Sequence, residues 1–337
     1  MQSIQEIDLA KYQIELKYIP QLRKTFAHMA QDATALYMKD KVVPAKQLAN
    51  NYNPEFLKIV RDAQREAIKV FGFNIREMGE KKGLAFKTAK FKALLNYHID
   101  TKDIDEVDEE EPINSSALER VNAEFALAAA LFVANTSEEQ LAYITATNEK
   151  DIQDAEVTAL ILFLHQTTTL TNQIGALEEQ IRKIDFDTMF GASKPIGDAK
   201  KEKLRRKIEE RQQALDKLNK SKDALVGKEI ERQIIAKGNT RSPLIASQNV
   251  GMATAFSRSK EVELVTQNVP TAKKIEIWRA ILDSKTREDH AAADGQRKEA
   301  GFYIVGGHRC KYPMDATLPM EQSANCRCVE EIRVEFV

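Results

Sequence analysis

A mainly α fold, with a helical N-terminal body, a long antiparallel helical hairpin and a small α+β module at the C-terminal end, is predicted by three features of this 337-residue sequence. Only 13 Gly and 9 Pro interrupt it, so long helices are expected. Apolar residues recur at helical spacing through most of its length. Only after Pro270 does a strand-like texture appear. Four segments follow: a helical region over 1–99, an acidic linker over 100–113, a helical body with the hairpin over 114–258, and the module over 259–337.

The first helices announce themselves by period. Leu22, Phe26, Met29, Ala33 and Leu36 step by four and three residues, which lays one apolar stripe along a helix. Asn53-Pro54 supplies an N-cap and a first-turn proline for a second helix, whose stripe is Phe56, Val60, Ala63, Ala67 and Val70, ending at Gly72. Asp100 to Glu111 holds eight acidic residues and one lysine, a self-repelling block that reads as an exposed linker. Ser116-Ala117-Leu118-Glu119 has the form of a capping box and opens the next helix.

The hairpin is read from two seams. Leu160, Leu164, Thr167, Thr171, Ile174, Ile181 and Ile184 recur with a period near 3.5, and Leu204, Ile208, Leu215, Leu218 and Leu225 do so beyond a breaker at Gly191 to Gly197. Arg211 and Lys222 interrupt the second seam. Helices this long need a partner stripe, so the two seams are expected to face each other, Leu164 towards Leu218. In the module, Ile275 and Ile277 suggest one strand, Val329, Ile332, Val334 and Phe336 another, with a short helix near Lys285 to Ala293 between them.

Charge narrows the function classes. Fifty Lys and Arg stand against 51 Asp and Glu, a net charge of -1 and not the basic excess of a protein that coats nucleic acid. Local basic patches remain candidates for double-stranded DNA: Lys81, Lys82, Lys87 and Lys90, interleaved with Phe86 and Phe91, and Lys200, Lys201, Arg205 and Arg206, which glutamates dilute. The plainer reading of both is a solvated helix face. No N-terminal stretch has signal-peptide form and the best apolar run, Phe125 to Ala134, is too short to span a bilayer, so synthesis in a cytoplasm is expected and no membrane partner is evident. All three cysteines fall in the last 28 residues, and an odd, crowded set argues against a disulfide framework.

The densest signal lies in that module. Trp278 is followed by Asp283, Arg287 and His290, then Gly295, then Pro313-Met314-Asp315, and finally Asn325-Cys326-Arg327-Cys328. Asp283 sits where a helix N-cap is expected, with Arg287 and His290 four and seven residues on and so able to share its face. Cys326 and Cys328, two apart on an extended segment, point to one side.

This order and spacing resemble the C-terminal domain of the Mu F-like phage head-morphogenesis family, most closely over 274–329. The resemblance implies a non-enzymatic minor capsid protein that works in the virion, at the portal vertex or capsid interior. Its implied partners are the portal protein, other head proteins and packaged DNA, and its implied role is capsid assembly and genome delivery. Where that family carries Ile-Ala-Arg-Thr-Glu, this chain has Ile245-Ala246-Ser247-Gln248-Asn249, so no role of that Arg or Glu carries over.

Three chemistries are open to the Cys/His set. A zinc site would use His290, Cys310, Cys326 and Cys328, with His308 as competing fourth ligand. A hydrolase or nuclease would use Cys326 or Cys328 as nucleophile, His290 as base and Asp283 to orient it, although Asp283 and His290 on one helix are poorly placed for that bond. The third reading is a packed, reduced core with His290 hydrogen-bonded.

Overall fold

A computed structural model describes residues 4–71, 115–191, 194–268, 272–315 and 317–336. The acidic stretch and the Lys81 to Lys92 patch lie outside the described residues. The chain is mainly helical: α1 (Ile4–Asp40), α2 (Ala45–Asn51), α3 (Asn53–Phe71), α4 (Ser115–Met189), α5 (Lys194–Lys220) and α6 (Lys222–Asn268) precede a C-terminal region of short strands. That region contains β1 (Ala272–Arg279), α7 (Glu288–Ala292), β2 (Tyr303–Val305), β3 (His308–Cys310), α8 (Met320–Ser323) and β4 (Val329–Phe336). The boundary expected at 258/259 falls inside α6.

Two compact units divide the chain, and neither is continuous in sequence. One comprises Thr25–Tyr52 and Thr145–Gly238. Here the α1 stripe is buried at Phe26, Met29 and Ala33, as its spacing predicts. The Thr34 hydroxyl donates to the Gly227 carbonyl at 3.0 Å, and Tyr52 donates to Asp32 at 2.8 Å. The helical hairpin is present: Lys201 of α5 folds back onto Asp185 of α4 at 2.9 Å, beyond a turn that begins at Phe190-Gly191. Gly197 is buried in the first turn of α5, where an added Cβ would stand 2.9 Å from Thr188 Oγ1. It is therefore a close-approach residue and not a breaker.

The register of the seam needs one correction. On α4 the side chains turned inward are Ile152, Ala155, Ala159 and Phe163, then half-buried Thr167, Leu170, Ile174, Leu177, Ile181 and Ile184. Leu164 is 59% exposed and Thr171 is exposed, so the expected contact of Leu164 with Leu218 is absent. From Thr167 towards the N-terminus, the stripe takes four residues to Phe163 and not three to Leu164; both spacings fit one face of a helix, so period alone does not choose between them. On α5, Leu204, Ile208, Leu215 and Leu218 are half-buried as expected. Leu225 is 41% exposed, and its neighbour Val226 takes the inward position.

The second unit comprises Met1–Lys24, Asn53–Ile144 and Asn239–Val337. Phe56, Val60, Ala63 and Ala67 of α3 are buried together with Phe125, Val250 and Ala253. Phe132 stacks on Phe256 at 4.2 Å, and the Phe256 ring meets Tyr312 of the C-terminal region edge-on. Asn249, in the segment that departs from the family pattern, is a core residue: it accepts from Gln64 at 2.9 Å and donates to the Ile245 carbonyl.

The C-terminal region closes on itself. Strand β1 pairs antiparallel with β4, from Ala272 opposite Phe336 to Arg279 opposite Val329, so the two expected strands are partners. Glu276, Trp278, Glu330 and Ile332 share its buried face. Residues 295–298 add a third line along β1 through Gly295 N to Trp278 O and Lys298 N to Glu276 O. Strands β2 and β3 form a hairpin whose turn, Gly306-Gly307, has φ of +55° and +80°. A two-residue turn with both central φ positive matches strand twist, and glycine adopts it without strain.

Candidate metal centre

The site begins with Trp278, fully buried on β1, whose ring packs edge-on against His290 at 5.8 Å and Tyr303 at 5.5 Å. Its N–H has no hydrogen-bond acceptor at normal geometry and bears on the Cys328 sulfur only as a weak, longer-range donor. His290 stands on the single turn of α7 and is 1% exposed. Its Nδ1 lies 3.3 Å from Cys328 Sγ and 3.5 Å from Cys326 Sγ. Both sulfurs face one side of the segment before β4, as their two-residue spacing predicts.

The far side of the ring fixes its tautomer. Gln322 Nε2 donates to Asp289 Oδ2 at 3.0 Å, which turns the amide oxygen towards His290. His290 Nε2 then donates to Gln322 Oε1 at 3.0 Å, and in the neutral ring Nδ1 carries the free lone pair facing two thiols. Gly306 backs this chain: a Cβ there would lie 2.7 Å from Gln322 Nε2 and 2.9 Å from Asp289 Oδ2. Gln322, Asp289 and Gly306 were invisible to motif reasoning, because nothing in their spacing points to the imidazole.

His290, Cys326 and Cys328 form a group whose donor atoms all lie within 4.8 Å of one another, all buried, and which could hold a metal ion. Cys310 is not part of it, so the four-residue set expected from the sequence is reduced to three. Cys310 is tied into the β2–β3 hairpin opposite Tyr303, and burial, then the Asp315 carboxylate, pushes its thiol up to about 12. His308, the alternative ligand, is exposed. Within the cluster, Cys326 is depressed well below an ordinary thiol, first by its hydrogen bond with Cys328 and then by His290 against the cost of burial. Cys328 is raised by that same hydrogen bond and by burial. For His290, burial opposes charge, yet the bond to Cys326 raises it overall.

The remaining motif residues surround this core, in roles that differ from the expected shared helix face. Arg287 is the N-cap of α7 in extended conformation, and its guanidinium donates to the Ala324 carbonyl. Asp283 lies in the preceding loop, caps Lys285 N at 2.9 Å, and takes a forked pair of bonds from Arg327, one of them 2.8 Å. That guanidinium holds the Asp283 carboxyl far below the usual carboxylate range. Asp283 is therefore not the orienting partner of His290. Asp294 accepts from Ala280 N, and Gly295 follows with φ of +77°. After the buried Pro313, Asp315 caps Lys311 N at 2.7 Å and Thr317 N at 3.1 Å. Asn325 adopts φ of +56° to turn the chain into the cysteines.

Below the same sheet face lies a charged cluster that sequence reading missed. Lys298 Nζ contacts Glu276 at 2.7 Å, Glu330 at 3.0 Å and Ser259 of α6 at 3.1 Å, and Tyr303 donates to Glu330 at 2.9 Å. Both carboxylates and the ammonium are almost wholly buried. Burial raises Glu330, and the carboxylates raise Lys298 against its own burial. The available signal was an acidic residue between Ile275 and Ile277, on the same face of the strand as Trp278.

The DNA candidates on α5 are not gathered. Lys201 is neutralised by Asp185 and Asp198, both at 2.9 Å, and Arg206 pairs with Glu202 at 3.3 Å. Lys200 and Arg205 are exposed. Lys81, Lys82, Lys87 and Lys90 lie outside the described residues. No family model, no curated protein and no solved structure matches the chain.

Proposed function

We propose that this chain is a head-morphogenesis protein of the Mu F-like kind, which uses its helical body as contact surface for the portal or other head proteins and its C-terminal module as a compact docking domain. One observation carries the reading. Residues 278, 283, 287, 290 and 324–328, which carry the resemblance, meet in one contiguous cluster of ring, sulfur and salt-bridge contacts. A chance agreement of spacing has no reason to converge so. The test is co-purification with the portal protein encoded beside it. Retention through purification, and incorporation into heads, is expected. Failure of both overturns the assignment.

We further propose that the cluster holds zinc in a structural role. Donors on a tetrahedral zinc, ~2.0–2.1 Å away for nitrogen and ~2.3 Å for sulfur, stand about 3.5 Å apart, as His290 and the two sulfurs do. Without metal, the two thiols share one imidazole lone pair through weak sulfur hydrogen bonds to it and to each other, whereas a metal ion would engage all three donors directly. The Gln322–Asp289 chain behind Nε2 is the outer support that metal-bound imidazoles usually have. The metal would staple α7 to the segment before β4. The burial of all three donors, and the engagement of Asp283 elsewhere, favour a staple over turnover. Stoichiometric zinc in the purified protein, lost in Cys326→Ser and kept in Cys310→Ser, is the expected result. Metal-free protein indifferent to chelator overturns it. A hydrolytic or nucleolytic activity abolished by Cys326→Ala would favour the enzyme reading instead.

A further inference from the structure

We propose that the end of the α4–α5 hairpin is a membrane-surface anchor that inserts shallowly into anionic lipid. The apex carries four large apolar side chains in water: Phe186 is 61% exposed, Met189 83%, Phe190 76% and Ile196 59%. Phe186 and Phe190 lie ring against ring at 4.7 Å, so they form one patch. Behind them comes charge. Residues 182–207 hold nine Lys and Arg against four Asp and Glu, in a chain whose net charge is -1. Of the four carboxylates, Asp185 and Asp198 both pair with Lys201, and Glu202 pairs with Arg206. Lys183, Lys200, Lys203 and Lys207 have no ion-pair partner among the described residues and are exposed.

The order of these groups along the hairpin identifies the occupant. At ~1.5 Å per residue, Lys200 to Lys207 stand roughly 6–16 Å behind Ile196. An apolar tip with a basic belt set back by that distance reproduces the layering of an anionic bilayer, acyl chains first and phosphates next. Duplex DNA offers phosphates but no apolar surface for Met189 and Ile196. Single strands stack on aromatic faces, but that mode likewise gives no place to the aliphatic side chains of Met189 and Ile196. No helix of the described residues is long and apolar enough to cross a membrane, and a peripheral tip does not require one. A shallow tip of this kind has no long apolar run, the feature by which a spanning segment is legible in sequence.

The experiment is flotation of the full chain with vesicles of phosphatidylcholine and phosphatidylglycerol in equal parts, against phosphatidylcholine alone. Binding to the anionic vesicles, weakened about tenfold or more in the Phe186→Ser, Phe190→Ser double variant, is expected. Both side chains are exposed, so an unchanged thermal melt should accompany the loss. Asp187→Asn removes the remaining tip carboxylate and should strengthen binding. A Met189→Trp variant adds a reporter whose emission shifts to the blue and is quenched by lipids brominated on the acyl chain, while buried Trp278 is a constant background. Absence of vesicle binding overturns the proposal. So does binding indifferent to the phenylalanine changes or without acyl-chain quenching. Retention on duplex DNA in place of vesicles assigns the basic belt to nucleic acid and overturns it equally.

Discussion

The α4–α5 hairpin and the C-terminal module are built on opposite plans. The hairpin is regular for dozens of residues, yet its distal seam is only half-buried, and no single side chain decides it. The module has strands and helices of three to eight residues, but its core side chains are almost fully enclosed and each contacts several others. Repetition stabilises the first, because each turn adds a small increment of burial. Particular pairings stabilise the second, so its energy is concentrated in a few groups. That contrast has a measurable form: substitutions in the module should cost much and vary sharply by site, while those in the distal hairpin should cost little and vary smoothly.

The largest effect is expected at Lys298. Lys298→Met leaves the buried Glu330 without its ammonium and Glu276 with Lys274 alone, and should cost about 3–5 kcal/mol by denaturant unfolding. Its pH dependence follows from the raised Glu330. A carboxyl that binds its proton more tightly folded than unfolded contributes most below the unfolded value and loses that contribution as pH rises through the folded one. The cost of the variant relative to the wild type should therefore be smallest below about pH 4 and grow upward. A variant that unfolds no more readily than the wild type at pH 7 would break the comparison.

Phe163→Ala comes next, at about 3 kcal/mol, because Phe163 is 7% exposed where the seam enters the better-packed part of its unit. Chelation follows. If zinc occupies the centre, then at a free concentration about a hundred times its dissociation constant it would contribute about 2.7 kcal/mol, read as a lower melting temperature after metal removal and a loosened Trp278 emission. Ile181→Ala, in the half-buried seam, should cost about 1 kcal/mol. Leu164→Ala should cost less than ~0.5 kcal/mol. If Leu164→Ala proves as damaging as Phe163→Ala, the register correction is wrong and the original seam stands.

The helical stripes were legible because each depends on local spacing alone: Leu22 to Ala33 and Phe56 to Ala67 are buried where the period places them. The metal-centre residues were legible as types and order, and the same-side placement of Cys326 and Cys328 follows from strand geometry. Their partners were not. Asp283 looked like a mate for Arg287 four residues on, yet it pairs with Arg327, 44 residues away in sequence. Cys310 looked like a third thiolate by proximity in sequence, but pairing with Tyr303 places it outside the group.

By itself, then, the sequence determined the helical class, the apolar stripes of α1 and α3, the presence of the hairpin, and which residues could make a Cys/His centre. These follow from backbone period and side-chain chemistry, which act within a few residues. Tertiary structure alone decided the pairing of β1 with β4, the burial of Lys298 between two carboxylates, the Gln322–Asp289 support behind His290, and the one-residue shift from Leu164 to Phe163. Each depends on which distant surfaces meet, and a choice between three- and four-residue steps along a helix, or among several equally charged partners, is settled only by packing.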